Sequence, residues 1–131
     1  DHDIHYGELI MNDITAKDRI QRDLQGDLLD DNHATRRYFR CWLDGSYNGE
    51  ESYRFNVECL KLSHDKPSAL RSFVIQEFCS YTARDANCSD GYAQKVIVST
   101  LNKTMLAKLT AALTEDALDL IADWLEEKEA A

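Results

Sequence analysis

An all-α fold, an irregular bundle of five or six helices cross-linked by two disulfides, is what this sequence predicts. Three observations carry the expectation. Helix breakers are scarce: Pro67 is the only proline, and Gly7, Gly26, Gly45, Gly49 and Gly91 are scattered, which disfavours a strand-rich fold with many turns. Apolar residues recur three or four apart over long stretches, the spacing of one helix face. The cysteine count is even in a short chain, as in small exported domains stapled by bridges. A length of 131 residues suits a single domain, residues 1–131, with one core. The minor alternative is an α+β fold with a hairpin at 36–60, because Tyr53, Phe55, Val57 and Cys59 alternate as a strand would.

The first helix is expected to open at Ile14, capped by Asn12 or Asp13, with Ile14, Ile20, Leu24 and Leu28 on its inner face. Gly26 weakens it by up to ~1 kcal/mol relative to Ala and offers a place for a break. Asn32 caps a second segment holding Tyr38, Phe39, Cys41, Trp42 and Leu43, and Gly45 stands where a left-handed residue closes a helix. The 52–62 stretch reads as a third helix: Tyr53, Val57 and Leu60 share a face, and Glu50 and Glu51 suit its N-terminal dipole. Pro67 suits the first turn of a fourth, whose stripe is Leu70, Phe73, Val74, Phe78 and Tyr81. A polar loop follows from about 83 to 91. Beyond it Val98, Leu101, Met105, Leu109 and Leu113 keep a helical spacing that overrides the strand propensity of Val96-Ile97-Val98. Thr114 is expected to cap a last helix, with Glu115 and Asp116 in its first turn and Leu118, Ile121, Trp124 and Leu125 buried.

Composition excludes several functions. A net charge of -9 argues against a nucleic-acid backbone binder, and no apolar run reaches the ~18–20 residues that span a bilayer. Catalytic signatures are missing: no GxSxG, no SxxK, no glycine-rich phosphate loop, and no HExxH around His2, His5, His33 or His64. The chain is therefore read as a non-enzyme with no cofactor, and the Asp1, His2, Asp3, His5 cluster as a flexible end rather than a chelator. Cys41, Cys59, Cys79 and Cys88 contain no CxxC pair and are assigned to two bridges, each stabilising by about 2–4 kcal/mol. With the sequons at Asn87 and Asn102, those bridges point to a secreted or periplasmic protein.

The segment from Asp44 to Phe55 has two functional readings. Asp44, Tyr47, Glu50 and Glu51 set an aromatic among acids, which suits docking on a basic protein partner. As a calcium loop, Asp44, Ser46, Asn48 and Ser52 supply side-chain oxygens, Glu50 stands at the backbone-ligand position and Gly49 at the sharp turn. Phe55, however, stands where the bidentate Glu belongs.

Cys79 and Cys88, with eight residues between them, resemble the last two cysteines of insect odorant-binding proteins. That resemblance implies a helical, disulfide-bonded carrier of small hydrophobic ligands. The chain departs from the family in having four cysteines and no pair separated by three residues. Two function classes follow. The leading one is a non-catalytic interaction domain (inhibitor, immunity-type or effector-like) that turns an acidic surface on a basic protein partner, where its charge speeds association. The alternative is a carrier with a small apolar ligand in a helical pocket.

Overall fold

A computed structural model describes residues 14–44, 58, 61–62 and 67–130. Among them no strand forms, and the backbone runs through α1 (residues 14–23), α2 (Ala34–Asp44), α3 (Pro67–Ala86), α4 (Asp90–Thr100) and α5 (Lys103–Ala130). Residues 58, 61 and 62 are helical too, in keeping with the third helix expected there. Asn12, Asp13, Gly45, Tyr53, Phe55, Val57, Cys59, Leu60 and the Trp124 side chain lie outside the described residues, as do His2, His5 and His64. The hairpin alternative loses its first strand, because residues 36–44 are helical.

Local chemistry sets each boundary. α1 stops short of Gly26, which takes φ +90°, a conformation that L side chains adopt rarely. Two aspartate turns follow, with the Leu29 N–H donating to Asp27 Oδ1 at 3.0 Å and the Asn32 N–H to Asp30 Oδ1 at 2.9 Å. His33, rather than the expected Asn32, caps α2: its carbonyl accepts from the Arg37 N–H and its Nδ1 from the Thr35 N–H at 3.2 Å. Its Nε2 lies 2.7 Å from the Gln25 carbonyl, which can only accept, so the ring proton sits on Nε2 and leaves Nδ1 bare for the cap.

The polar loop expected at 83–91 shrinks to three residues. α3 continues to Ala86, and Asn87 takes φ +57° to close it. Cys88 and Asn87 donate back to the Ala83 and Arg84 carbonyls, a Schellman closure. Ser89 then caps α4 by accepting from the Tyr92 N–H at 3.2 Å.

The last break also moves. Leu101 turns extended (φ -98°, ψ 141°), and Asn102 Oδ1 accepts from the Met105 N–H at 2.7 Å, capping α5. Thr114 caps nothing. Its hydroxyl donates to the Thr110 carbonyl four residues back at 2.7 Å, so α5 passes through it unbroken.

The core gathers Ile20, Leu24 and Leu28 with Phe39 and Leu43 of α2, Leu70, Val74 and Phe78 of α3, Ile97 of α4, and Leu109, Leu113 and Ile121 of α5. Phe39 meets Phe78 edge-on at 5.3 Å between centroids, and Tyr81 links Phe39 to Trp42. Three residues expected inside, Ile14, Val98 and Leu118, are exposed.

The disulfide framework does not hold. No bridge joins any two of Cys41, Cys79 and Cys88, and two bridges among four cysteines would have to join at least two of these three, whichever one Cys59 took. Cys79 instead fills a buried core position on α3 as a small apolar side chain. Burial, and then the nearby Asp90 carboxylate, push its thiol up to about 11. A core continuous across all five helices supplies the stability for which smaller domains need staples.

Candidate interaction surface

The register of α5 decides which of its acids meet water. Leu113, Thr114, Asp116, Ala117 and Ile121 are buried, so Glu115, Leu118, Asp119, Ala122, Asp123, Glu126 and Glu127 form the outer face. No Lys or Arg occurs between Lys108 and Lys128, and none of the five outer carboxylates makes an ion pair among the described residues. Glu115, Asp119, Asp123 and Glu127 follow one another at four-residue intervals, where like charges each cost an isolated helix about 0.2–0.5 kcal/mol. Glu126 and Glu127 also oppose the negative end of the helix dipole. Leu118, 40% exposed, sits within the row as an apolar contact point.

A buried ion network holds the opposite face. Asp116, 8% exposed, accepts two bonds from Arg36 Nη2 at 3.1 and 2.9 Å and one from Arg40 at 3.1 Å. Arg36, 3% exposed, also donates to the Leu29 carbonyl at 2.6 Å and pairs with Asp31 at 3.2 Å, while its Nε is buried without a partner. Asp31 takes Arg40 as well, at 3.6 Å. The network ties α2 and the turn before it to the middle of α5, fixing the rotation of α5 and with it the direction of the acidic row. The cap expected at Thr114 puts Asp116 in an exposed first turn and gives it neither arginine as a partner. Carrying the Leu109–Leu113 register through Thr114 would have turned Asp116 inward and called for a cation.

Of the acids proposed for docking, Asp44 is exposed at the end of α2. Tyr47, Glu50 and Glu51 lie outside the described residues, as do Ser46, Asn48 and Ser52 of the calcium reading. Among the described residues no cluster of three or more His, Cys, Asp or Glu is grouped to hold a metal ion. No described helix is long and apolar enough to cross a membrane.

A second feature lies between α1 and α3, where a cleft of about 410 Å3 opens beside the His33 cap. Arg19 bridges two carboxylates on its wall, 3.5 Å from Asp23 and 3.2 Å from Asp85. Burial raises the Asp23 carboxyl above the usual range; Arg19 pulls it down, and the neighbouring Asp85 pushes it up again. Trp42 and Tyr81 stack nearby, with the Arg84 guanidinium 5.0 Å from the Trp42 ring.

No protein-family model, no curated protein and no solved structure matches this chain.

Proposed function

We propose that this chain is a non-catalytic protein-interaction domain of the inhibitor, immunity or effector kind, and that the outer face of α5 docks on a basic protein partner. One observation carries the reading: a row of carboxylates at helical spacing, uncompensated by any cation among the described residues, on a helix whose inner face is anchored by Arg36 and Asp116. A partner's lysines and arginines relieve the repulsion within the row, and Leu118 supplies apolar area at its centre. The net charge of -9 steers such a partner over distances set by ionic strength.

The test captures binding proteins from the source organism on the immobilised chain and measures their affinity for wild type and for the triple variant Glu115→Lys, Asp119→Lys, Asp123→Lys. A basic partner that binds wild type, weakens as salt rises and loses the variant supports the reading. Equal affinity for the two chains overturns it.

The carrier reading has its own support, a cleft of about 410 Å3 among α3, α4 and α5 whose lining includes Ile75, Ile97, Val98 and Leu106 beside the polar Glu77, Asp90 and Gln94. Titration with a fluorescent naphthylamine probe checks it: saturable uptake abolished by Val98→Asp favours the carrier, and no uptake removes it. Secretion now rests on the sequons alone, with Asn87 and Asn102 both exposed at helix ends.

A further inference from the structure

The cleft between α1 and α3 has an unbalanced chemistry that the acidic face of α5 does not use. Four charged side chains line it: Arg19, Arg22, Asp23 and Asp85. Arg19 is committed to both carboxylates, at 3.5 and 3.2 Å, so one guanidinium faces two acids and leaves one negative charge over. Arg22 supplies the missing positive charge but does not spend it there: it is exposed and makes no ion pair among the described residues. The Tyr38 side chain, 55% exposed at the rim, likewise makes no hydrogen bond among the described residues. The lining thus holds two uncommitted anion-binding groups, Arg22 and Tyr38, and a carboxylate pair short of one cation.

A third observation concerns the same cleft. Thr82, 5% exposed, lines the cleft, and its Oγ1 has no hydrogen-bond partner. Thr110 and Thr114 of α5 donate back to the carbonyls four residues before them, at 2.8 and 2.7 Å, so a helical threonine in this fold ordinarily satisfies itself. That oxygen is itself enclosed by protein, so a cleft occupant bonds it only if the surrounding side chains shift. The volume of about 410 Å3 lies within the roughly 300–1,000 Å3 of small-molecule sites.

We infer that this cleft binds a small zwitterion of the α-amino-acid class, its carboxylate held by Arg22 and the Tyr38 hydroxyl and its ammonium by Asp85 and Asp23. The assignment follows from charge complementarity: only a ligand carrying both signs a few bonds apart neutralises both residual charges. A planar carboxylate also matches the forked donors of an arginine. The ligand ammonium joins Arg19 between the two aspartates, or displaces its half-exposed side chain.

Isothermal titration calorimetry of the full chain with each of the twenty common L-amino acids tests this, followed for the tightest binder by its N-acetyl and methyl-ester forms. At least one free amino acid is expected to bind. Both blocked forms should then bind about tenfold more weakly or worse, as should the free ligand with Arg22→Ala or Asp85→Asn, since each change removes one charged contact. Circular dichroism establishes that both variants, altered at exposed positions, keep the wild-type helix content. Absence of binding by every amino acid at millimolar concentration overturns the inference. So does an N-acetyl form that binds as well as the free ligand, or binding untouched in folded Arg22→Ala and Asp85→Asn.

Discussion

The Asp116 carboxylate shows how one residue can set the direction of a whole surface. With three donor contacts from Arg36 and Arg40, it is satisfied only while α2 and α5 keep their present rotation. Asp116→Ala leaves the buried Arg36 with only the exposed Asp31 as counter-charge and is expected to cost about 3 kcal/mol, read from urea denaturation. The double variant Arg36→Met, Asp116→Leu should recover most of that loss, since apolar residues of similar size often replace a buried pair without penalty. Asp23 gives a pH-dependent counterpart. Its carboxyl lies above the ordinary range mainly through burial, so the folded chain holds a proton there more tightly than the unfolded chain. Its contribution to stability is fully present below the unfolded-state pKa and is lost as pH rises through the higher folded value. Asp23→Asn is therefore expected to raise stability at neutral pH relative to wild type and to flatten this part of the acid limb, checked by melting curves from pH 3 to pH 7. Neither residue was legible as special in the sequence. Both look like ordinary acids in an acid-rich chain until the register says which face they occupy.

At the scale of elements, periodicity located the helices and misjudged their ends. Leu70, Val74 and Phe78 were readable as one buried stripe, and they are buried. Leu109 and Leu113 were equally readable, but placing a cap at Thr114 reset the register and sent Leu118 inward, where the structure has it exposed. The hydroxyl decides the matter: threonine serves as a cap or bonds back to the preceding turn, and sequence alone does not distinguish the two. Asn102→Ala should accordingly cost about 1 kcal/mol, the ordinary worth of an N-cap. Thr114→Val, which keeps the shape and gives up only the back-bond, should cost less. Paired thermal melts compare them, and a larger loss at Thr114 would restore the helix break there. The other shifted end, at Asn87, turns on a left-handed residue that asparagine tolerates and that periodicity does not register.

For the molecule as a whole, helical architecture was legible from scarce breakers and three-to-four spacing, whereas the cross-links were not. An even cysteine count carries compartment information only if the thiols meet, and Cys79 is spent on packing in the core. With its thiol pushed up to about 11, Cys79 should resist iodoacetamide at neutral pH in the native chain, while the partly exposed Cys41 reacts; peptide mass mapping separates them. The site was half legible. A surplus of acids follows from composition, but the face of α5 on which five of them meet water follows from the rotation that Arg36 and Asp116 impose, a contact spanning 80 residues of sequence. The most direct measurement is zero-length carbodiimide cross-linking of the chain to its captured partner, which joins carboxylates to lysines in contact. The expected result is cross-links from Glu115, Asp119, Asp123 or Glu127 to the partner's lysines. Cross-links confined to Asp27, Asp30 and Asp31, with none on α5, would contradict the account.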